Sequence, residues 1–172
     1  MKLKISPTQN EIVLGSEEII VSKTDLTGRI TYVNRAFMRI ADFPEEDVLG
    51  VQHNVVRHPD MPRGVFKLLW DTLQKKREFF GYVKNITANG DYYWVFANIT
   101  PDMDFHGKHI GYFSVRRKPS QQAISTVQGI YREMLALEAR AGVANAPNAS
   151  IEFLNARLKE LGTTYDRFVL SL

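Results

Sequence analysis

The residues best suited to chemistry fall close together: an arginine, two histidines and an aspartate lie within His53-Asn54-Val55-Val56-Arg57-His58-Pro59-Asp60-Met61-Pro62. Directly after it, Val65, Phe66, Leu69, Trp70 and Leu73 recur at spacings of three and four, which predicts an amphipathic helix with Trp70 in its core face. Asp60 is placed to cap that helix, with Pro62 harmless in its first turn. A helix start presents unpaired amides and the positive end of the macrodipole, so it favours an anion such as a phosphate. Arg57 could then add a bidentate contact, and nothing about a loop-to-helix junction demands both Arg57 and His58. Asp60 and Asn34 are equally well explained as helix caps or as ligand contacts. His106 and His109, with Asp102 and Asp104 nearby, read as a solvated hairpin turn and not a metal site.

These side chains need a scaffold, and the alternation of the flanking segments describes one. Ile19-Ile20-Val21 and Ile30-Thr31-Tyr32-Val33 are β-prone runs around Asp25-Leu26-Thr27-Gly28, a turn sequence, and predict a hairpin. Asn34 can cap a short helix over 35–41 with Phe37, Ile40 and Ala41 on one face, and Pro44 opens a second that ends at Gly50. Three strands are predicted over 79–87, 92–100 and 108–116, joined at Asn89-Gly90 and His106-Gly107. The result is an α+β fold, one five-stranded antiparallel sheet with short helices on one face. Asn85 faces Trp94 if the Asn89-Gly90 loop has two residues, and Val95 if it carries one more.

Beyond the sheet, a helix is expected over 119–140, a linker over 141–150 and a last helix over 151–172. Ile151, Leu154, Leu158, Leu161, Tyr165, Phe168 and Leu172 keep heptad-like spacing in that last segment, as a coiled-coil seam does, so that it either pairs with a copy in a homodimer or folds back on its own sheet.

Composition narrows the function classes. The 172 residues fit one domain with an extension, here 11–118 after an N-terminal tail of 1–10. There is no cysteine, which excludes disulfides, thiolate metal sites and cysteine nucleophiles. The 22 basic residues are scattered among 19 acidic ones, with no extended basic stripe, so nucleic acid is not expected as a partner. No run approaches the ~18 to 20 apolar residues of a membrane span, and the first residues lack a signal-peptide core, which predicts a cytoplasmic protein without membrane insertion. Zinc-protease, nucleophile-elbow, phosphate-loop and dinucleotide glycine motifs are missing, so an enzyme is not expected.

From about Glu11 to Arg117 the chain resembles the PAS domain of the bacterial aerotaxis receptor family. The resemblance is carried by Ser22-Lys23-Thr24-Asp25-Leu26, Asn34, His53-Asn54, Arg57-His58-Pro59-Asp60-Met61-Pro62, Val83-Lys84-Asn85 and Asn89-Gly90-Asp91-Tyr92-Tyr93-Trp94-Val95. It implies the PAS fold, non-covalent FAD, and redox signalling to a partner such as a chemoreceptor or histidine kinase. The family's flavin-associated positions correspond to Asn34, Arg57, His58, Asp60 and Asn85 here. Where the family has a tryptophan this chain has Phe79, which can stack on a flavin ring but has no indole donor. With no cysteine, a flavin–cysteinyl bond is excluded. Two other readings stay open: a cofactor-free PAS dimerisation module, and a heme-binding gas sensor using His53 or His58 as axial ligand. The resemblance also predicts that Gly81, Val83 and Asn85 face inward with Val95, Ala97 and Ile99. Tyr82, Trp94 and Phe96 then face outward, to be covered by a terminal segment or another subunit. Charge reversal of Arg57 to glutamate is expected to abolish flavin retention in a folded protein.

Overall fold

The computed structural model describes residues 5–172; residues 1–4 of the expected tail lie outside it. Strands β1 (Ile20–Asp25) and β2 (Ile30–Val33) form the expected hairpin, and the Asp25 carboxylate accepts hydrogen bonds from the Thr27 and Arg29 amides across its turn. Then come α1 (Arg35–Ala41), α2 (Glu45–Val48), a 3-10 turn (His53–Val56) and α3 (Arg63–Gln74). The meander β3 (Phe79–Ile86), β4 (Tyr92–Met103), β5 (His109–Arg117) completes one antiparallel sheet in the order β2-β1-β5-β4-β3. The described part of the expected tail is not free: the Thr8 amide bonds to the Gly90 carbonyl, and just after it the Ile12 amide bonds to that of Tyr92.

Asn34 caps α1 as its position suggests, and Phe37, Ile40 and Ala41 are the buried face of that helix. The α3 cap differs from expectation. The helix starts after Pro62, with no side-chain cap, and Asp60 instead pairs with Lys84 of β3 at 2.7 Å. Trp70 is 38% exposed and not core; its ring meets Tyr112 edge-on at 5.4 Å. Val65, Leu69 and Leu73 are buried as the spacing requires.

The β3–β4 register corrects the hairpin reading. Thr87 bonds to Asp91 around a three-residue loop, so Asn85 lies opposite Tyr93 and not Trp94 or Val95. A shift of two residues preserves parity. Gly81, Val83 and Asn85 therefore still share a face with Val95, Ala97 and Ile99.

The C-terminal segment departs most. Helix α4 runs from Gln121 to Glu160, so residues 143–150 are helical and not a linker. Its break is confined to Gly142, at φ 74 and ψ 166. The two arms fold back on each other: Ser150 Oγ donates to Glu138 at 2.6 Å, whereas a straight helix would hold twelve residues roughly 18 Å apart. Pro147 is tolerated because the carbonyl its missing N–H would leave unpaired, that of Val143, accepts from Arg63. The expected heptad helix ends early. Gly162, at φ 64, closes a Schellman motif in which its amide bonds to Lys159 and that of Thr163 to Leu158. Thr164 then caps α5 (Tyr165–Leu170). Leu154 and Leu158 are buried within the chain itself, while Leu161 is 61% exposed.

These helices cover the outer aromatic residues. Tyr131 of α4 stacks near Trp94 at 6.3 Å and donates to the Tyr82 carbonyl at 2.7 Å, and the Tyr82 hydroxyl donates to the Val169 carbonyl in α5. The protein's own C-terminus is thus the segment that buries Tyr82 and Trp94.

Candidate functional site

Between the sheet and α3 lies a cavity of about 200 Å³. One side is apolar: Leu69 and Leu73 of α3 face Val83, Ala97 and Ile99 of the sheet. The other is polar, and comes from β1, β5 and the 3-10 turn: Ser22, His53, Ser114 and Arg116. Strand alternation puts Ser114 and Arg116 on the same face of β5, and Ser22 lies directly across from Ser114.

Arg116 is buried, and its Nη2 donates to Ser22 Oγ at 2.9 Å and to His53 Nε2 at 2.7 Å. Because arginine can only donate, Nε2 accepts from Arg116 and the His53 proton belongs on Nδ1; Ser22 Oγ, which accepts from the same Nη2, lies 3.0 Å from Nε2. Burial, aided by the Arg116 charge, pushes His53 down to about 3. Burial also lowers Arg116 to about 10 and raises the Tyr93 hydroxyl to about 12, the latter against the pull of Arg116 and Asn85. The Ser114 hydroxyl is buried with no hydrogen-bond partner.

Of the residues singled out in the sequence, Arg57 and Asn85 line this cavity, and a bridge joins their backbones at the free edge of β3. The Arg57 guanidinium lies 4.1 Å from the centre of the Phe66 ring and donates to the Met61 carbonyl at 3.1 Å. His58 and Asp60 do not line the cavity; they gather around Lys84. His58 Nδ1 accepts from the Asp60 amide at 3.0 Å and Nε2 is buried without a partner. Burial and the Lys84 charge push His58 down to about 4, against Asp60. Phe79 is buried, with its ring stacked on Tyr165 at 5.6 Å. The start of α3, expected to hold a phosphate, carries the Glu138 carboxylate, which accepts from the Gly64 amide at 3.0 Å. Burial lowers Arg57 from its ordinary value and the Glu138 charge works against that; charge reversal at Arg57 would therefore face Glu138 and would unsettle the fold as well as any ligand.

All three side-chain bonds of Asn34 go to backbone: Oδ1 accepts from Val21 and Phe37, and Nδ2 donates to Ile19. Asn34→Ala is expected to lower unfolding free energy by about 2 kcal/mol, for a lost cap and two lost tertiary bonds. Asn34→Asp should recover part of that. Urea titration reads both, and an alanine variant of unchanged stability would return Asn34 to the list of ligand contacts.

The two depressed histidines set an acid limit. A histidine held neutral in the fold, but titrating near 6.5 when unfolded, contributes stability that is complete above that pH and is lost as pH falls toward the folded value. Unfolding free energy should therefore decline from pH 7 to pH 5, on the order of 1–2 kcal/mol per histidine. His53→Gln should remove its share of the slope; an unaltered slope would show that the ring titrates freely.

Sequence reasoning passed over Ser22, Ser114 and Arg116 as site residues. Arg116 sat in a basic cluster, Arg116-Arg117-Lys118, where a solvated reading is natural. The available signal was parity: with Tyr112 and Ser114 inward, Arg116 must also face inward.

Comparison with known proteins agrees with this architecture. The chain is 39% identical to the aerotaxis receptor of Escherichia coli over 127 residues, 74% of this chain and 25% of the receptor. It is 27% identical to the nitrogen fixation regulatory protein of Klebsiella pneumoniae over 99 residues, 58% of this chain and 20% of that protein. It thus spans a quarter or less of these relatives. A light-oxygen-voltage domain studied with a flavin analogue superposes with a TM-score of 0.56 at 18% identity, over 67% of this chain and 87% of that one. The light-state dimer of the fungal photoreceptor Vivid gives 0.53 at 18% identity, over 62% and 83%. A family model described as the PAS fold matches residues 30–116, which span all of the sheet but β1 and the last residue of β5. With the strand order, the cavity and the aerotaxis-receptor likeness in agreement, the chain belongs to the PAS-fold family.

Proposed function

We propose that this PAS domain is a cytoplasmic, non-enzymatic sensor that holds a flavin, FAD as in the aerotaxis receptors it resembles, and reports the flavin's redox state to a partner protein. The observation that carries this reading is the two-sided cavity, with apolar side chains on one side and a wall of hydrogen-bonding groups on the other. An isoalloxazine ring has the same division, a hydrocarbon edge and a pyrimidine edge rich in acceptors. The orphaned Ser114 hydroxyl and the Asn85 amide fit the latter. When bound, the flavin would supply reversible two-electron chemistry. The protein's part is to orient the ring, exclude water and change its own hydrogen bonds at Asn85 and Ser114 as the ring changes protonation.

A phosphate at the start of α3 is not part of this reading, because Glu138 holds that place. Neither is heme: His53 Nε2 is engaged by Arg116 and Ser22, and His58 does not face the cavity. Among the described residues no helix is long and apolar enough to cross a membrane. The signal would pass to a partner such as a chemoreceptor or histidine kinase. Homodimer formation, also part of the proposal, would use a surface other than Leu154 and Leu158, which are buried in their own chain.

The deciding experiment is a visible absorption spectrum of the purified protein, with heat release of the chromophore and its identification by mass. Released FAD, and bleaching of the bound form by dithionite, is the expected result. A colourless protein that takes up neither FAD, FMN nor riboflavin would leave a cofactor-free interaction module.

A further inference from the structure

Arg116 carries a charge into the cavity with nothing to balance it. It is 4% exposed, and among the described residues no carboxylate lies within ion-pair distance. Its side-chain hydrogen bonds all come from Nη2 and go to Ser22 and His53, two neutral groups. Burying a guanidinium without an anion is costly, and arginine cannot escape by losing its proton. Neighbouring groups offer no relief: His53 is locked as a neutral acceptor, and Tyr93 stays protonated. Two residues along the same strand face, the Ser114 hydroxyl is also unpaired. An unbalanced cation and an orphaned donor, side by side on the wall of one cavity, describe half of a binding site.

We infer that Arg116, with Ser114, is an anion-recognition site that receives a flat aromatic ligand by a negatively charged edge, its body lying against Leu69, Val83 and Ile99. The inference rests on the cavity being a ligand site, as in the proposed function, and for a flavin it deepens that reading. Two electrons from an external reductant and one proton from solvent convert neutral oxidised flavin to its reduced anion, whose charge resides on the pyrimidine edge. Arg116 favours that form over the neutral one and raises the midpoint potential.

The test uses the full chain and Arg116→Met, with Arg116→Lys retaining the charge. Reduced FAD should lose at least tenfold in affinity relative to oxidised FAD in the methionine variant, a fall of about 30 mV in midpoint potential. The lysine variant should lose less. A second pair of probes needs no flavin and no variant: 2-naphthoate should bind wild type at least tenfold more tightly than uncharged 2-naphthamide. Unchanged potential in a flavin-loaded Arg116→Met overturns the inference and leaves the flavin reading standing. Preference for naphthoate in a protein that takes up no flavin does the reverse. Equal binding of both naphthyl probes, or of neither, also overturns the inference.

A different observation carries a second proposal. The cavity is smaller than the roughly 300–1,000 Å³ of pockets that enclose drug-sized ligands. Next along β3, where Phe79 pairs with the cavity-lining Ile99, the space over Gly81 is filled by the Phe79 ring and by Tyr165 of α5; a Cβ on Gly81 would lie 2.7 Å from the former and 3.0 Å from the Tyr165 hydroxyl. That hydroxyl is buried without a partner, a penalty that docking of α5 carries. We propose that α5 is a displaceable plug: Tyr165 occupies the aromatic face of Phe79, and a ring ligand entering the cavity evicts it, swinging α5 about Gly162 to expose Tyr82. Hydrogen exchange over 163–172 should rise at least tenfold on saturation with riboflavin. Tyr165→Phe, which removes the orphan, should weaken riboflavin binding severalfold, and Tyr165→Ala should strengthen it. Exchange unaltered by bound riboflavin, or an alanine variant that binds no better than wild type, overturns the plug.

Discussion

Gly64→Ala is expected to detach the C-terminal helices from the PAS domain while leaving the sheet folded. A Cβ at Gly64 would stand 2.2 Å from Ser150 Oγ, 3.1 Å from the Ile151 amide and 3.2 Å from the Pro147 carbonyl. The hydroxyl could rotate, but the other two atoms are backbone of α4 and move only if the helix moves. Lifting α4 separates the Glu138 carboxylate from the Gly64 amide, a charge-assisted bond made in a buried setting, and loosens its bond to Ser150. Hydrogen bonds to charged groups contribute about 1.5–3 kcal/mol each, so docking should weaken by roughly 3–5 kcal/mol. Hydrogen exchange would rise through 143–170 with little change over β1 to β5. Glu138→Gln, which keeps one acceptor, should show a smaller effect at the same positions. Full protection of 143–170 in the alanine variant would mean that α4 is not held by this contact.

Gly111→Ala should damage the sheet itself. Its Cβ would fall 1.9 Å from the Thr24 carbonyl oxygen and 3.3 Å from the Asp25 Cα, both backbone of β1. Gly111 pairs with Asp25 at the end of the β1–β5 ladder, beside the residues Thr24 and Tyr112 that line the cavity. Relief requires opening that ladder, so a loss of about 3 kcal/mol or more is expected, together with loss of any ligand. Gly129→Ala in α4 is the control. A Cβ there meets nothing within 4 Å, and alanine in a helix interior should stabilise by about 0.5–1 kcal/mol. Chemical denaturation separates the pair; a Gly111→Ala variant as stable as wild type would show that β1 can shift freely at this end.

Much of the fold was legible because local signals and global pattern agree in the first 117 residues. The Asp25–Gly28 turn, the Asn34 cap, the α3 spacing and the strand runs each use short-range chemistry, and each element formed within one or two residues of expectation, except β1, which runs on past Val21 to Asp25, β4, which runs to Met103, and α3, which starts at Arg63 after Pro62. Half of the candidate site was legible for the same reason: Arg57 and Asn85 stand in recognisable motifs and do reach the cavity. Arg116 was not, because a charged residue inside a basic cluster looks solvated until its strand is known to place it on the inner face.

By itself the sequence determined the element order, because that depends on side-chain periodicity and on turn and cap chemistry, while the inward set Gly81, Val83 and Asn85 and the PAS family followed from the resemblance its motifs carry. The tertiary structure decided what those patterns could not. It showed Glu138, not an external phosphate, on the α3 amide. It broke the heptad run at Gly162 and turned Leu154, Leu158 and Tyr165 back onto their own domain. A spacing of three and four residues says that one face of a helix must be buried, but it does not say against what. That choice is made by long-range packing, where an intramolecular surface is available at far higher effective concentration than a second chain.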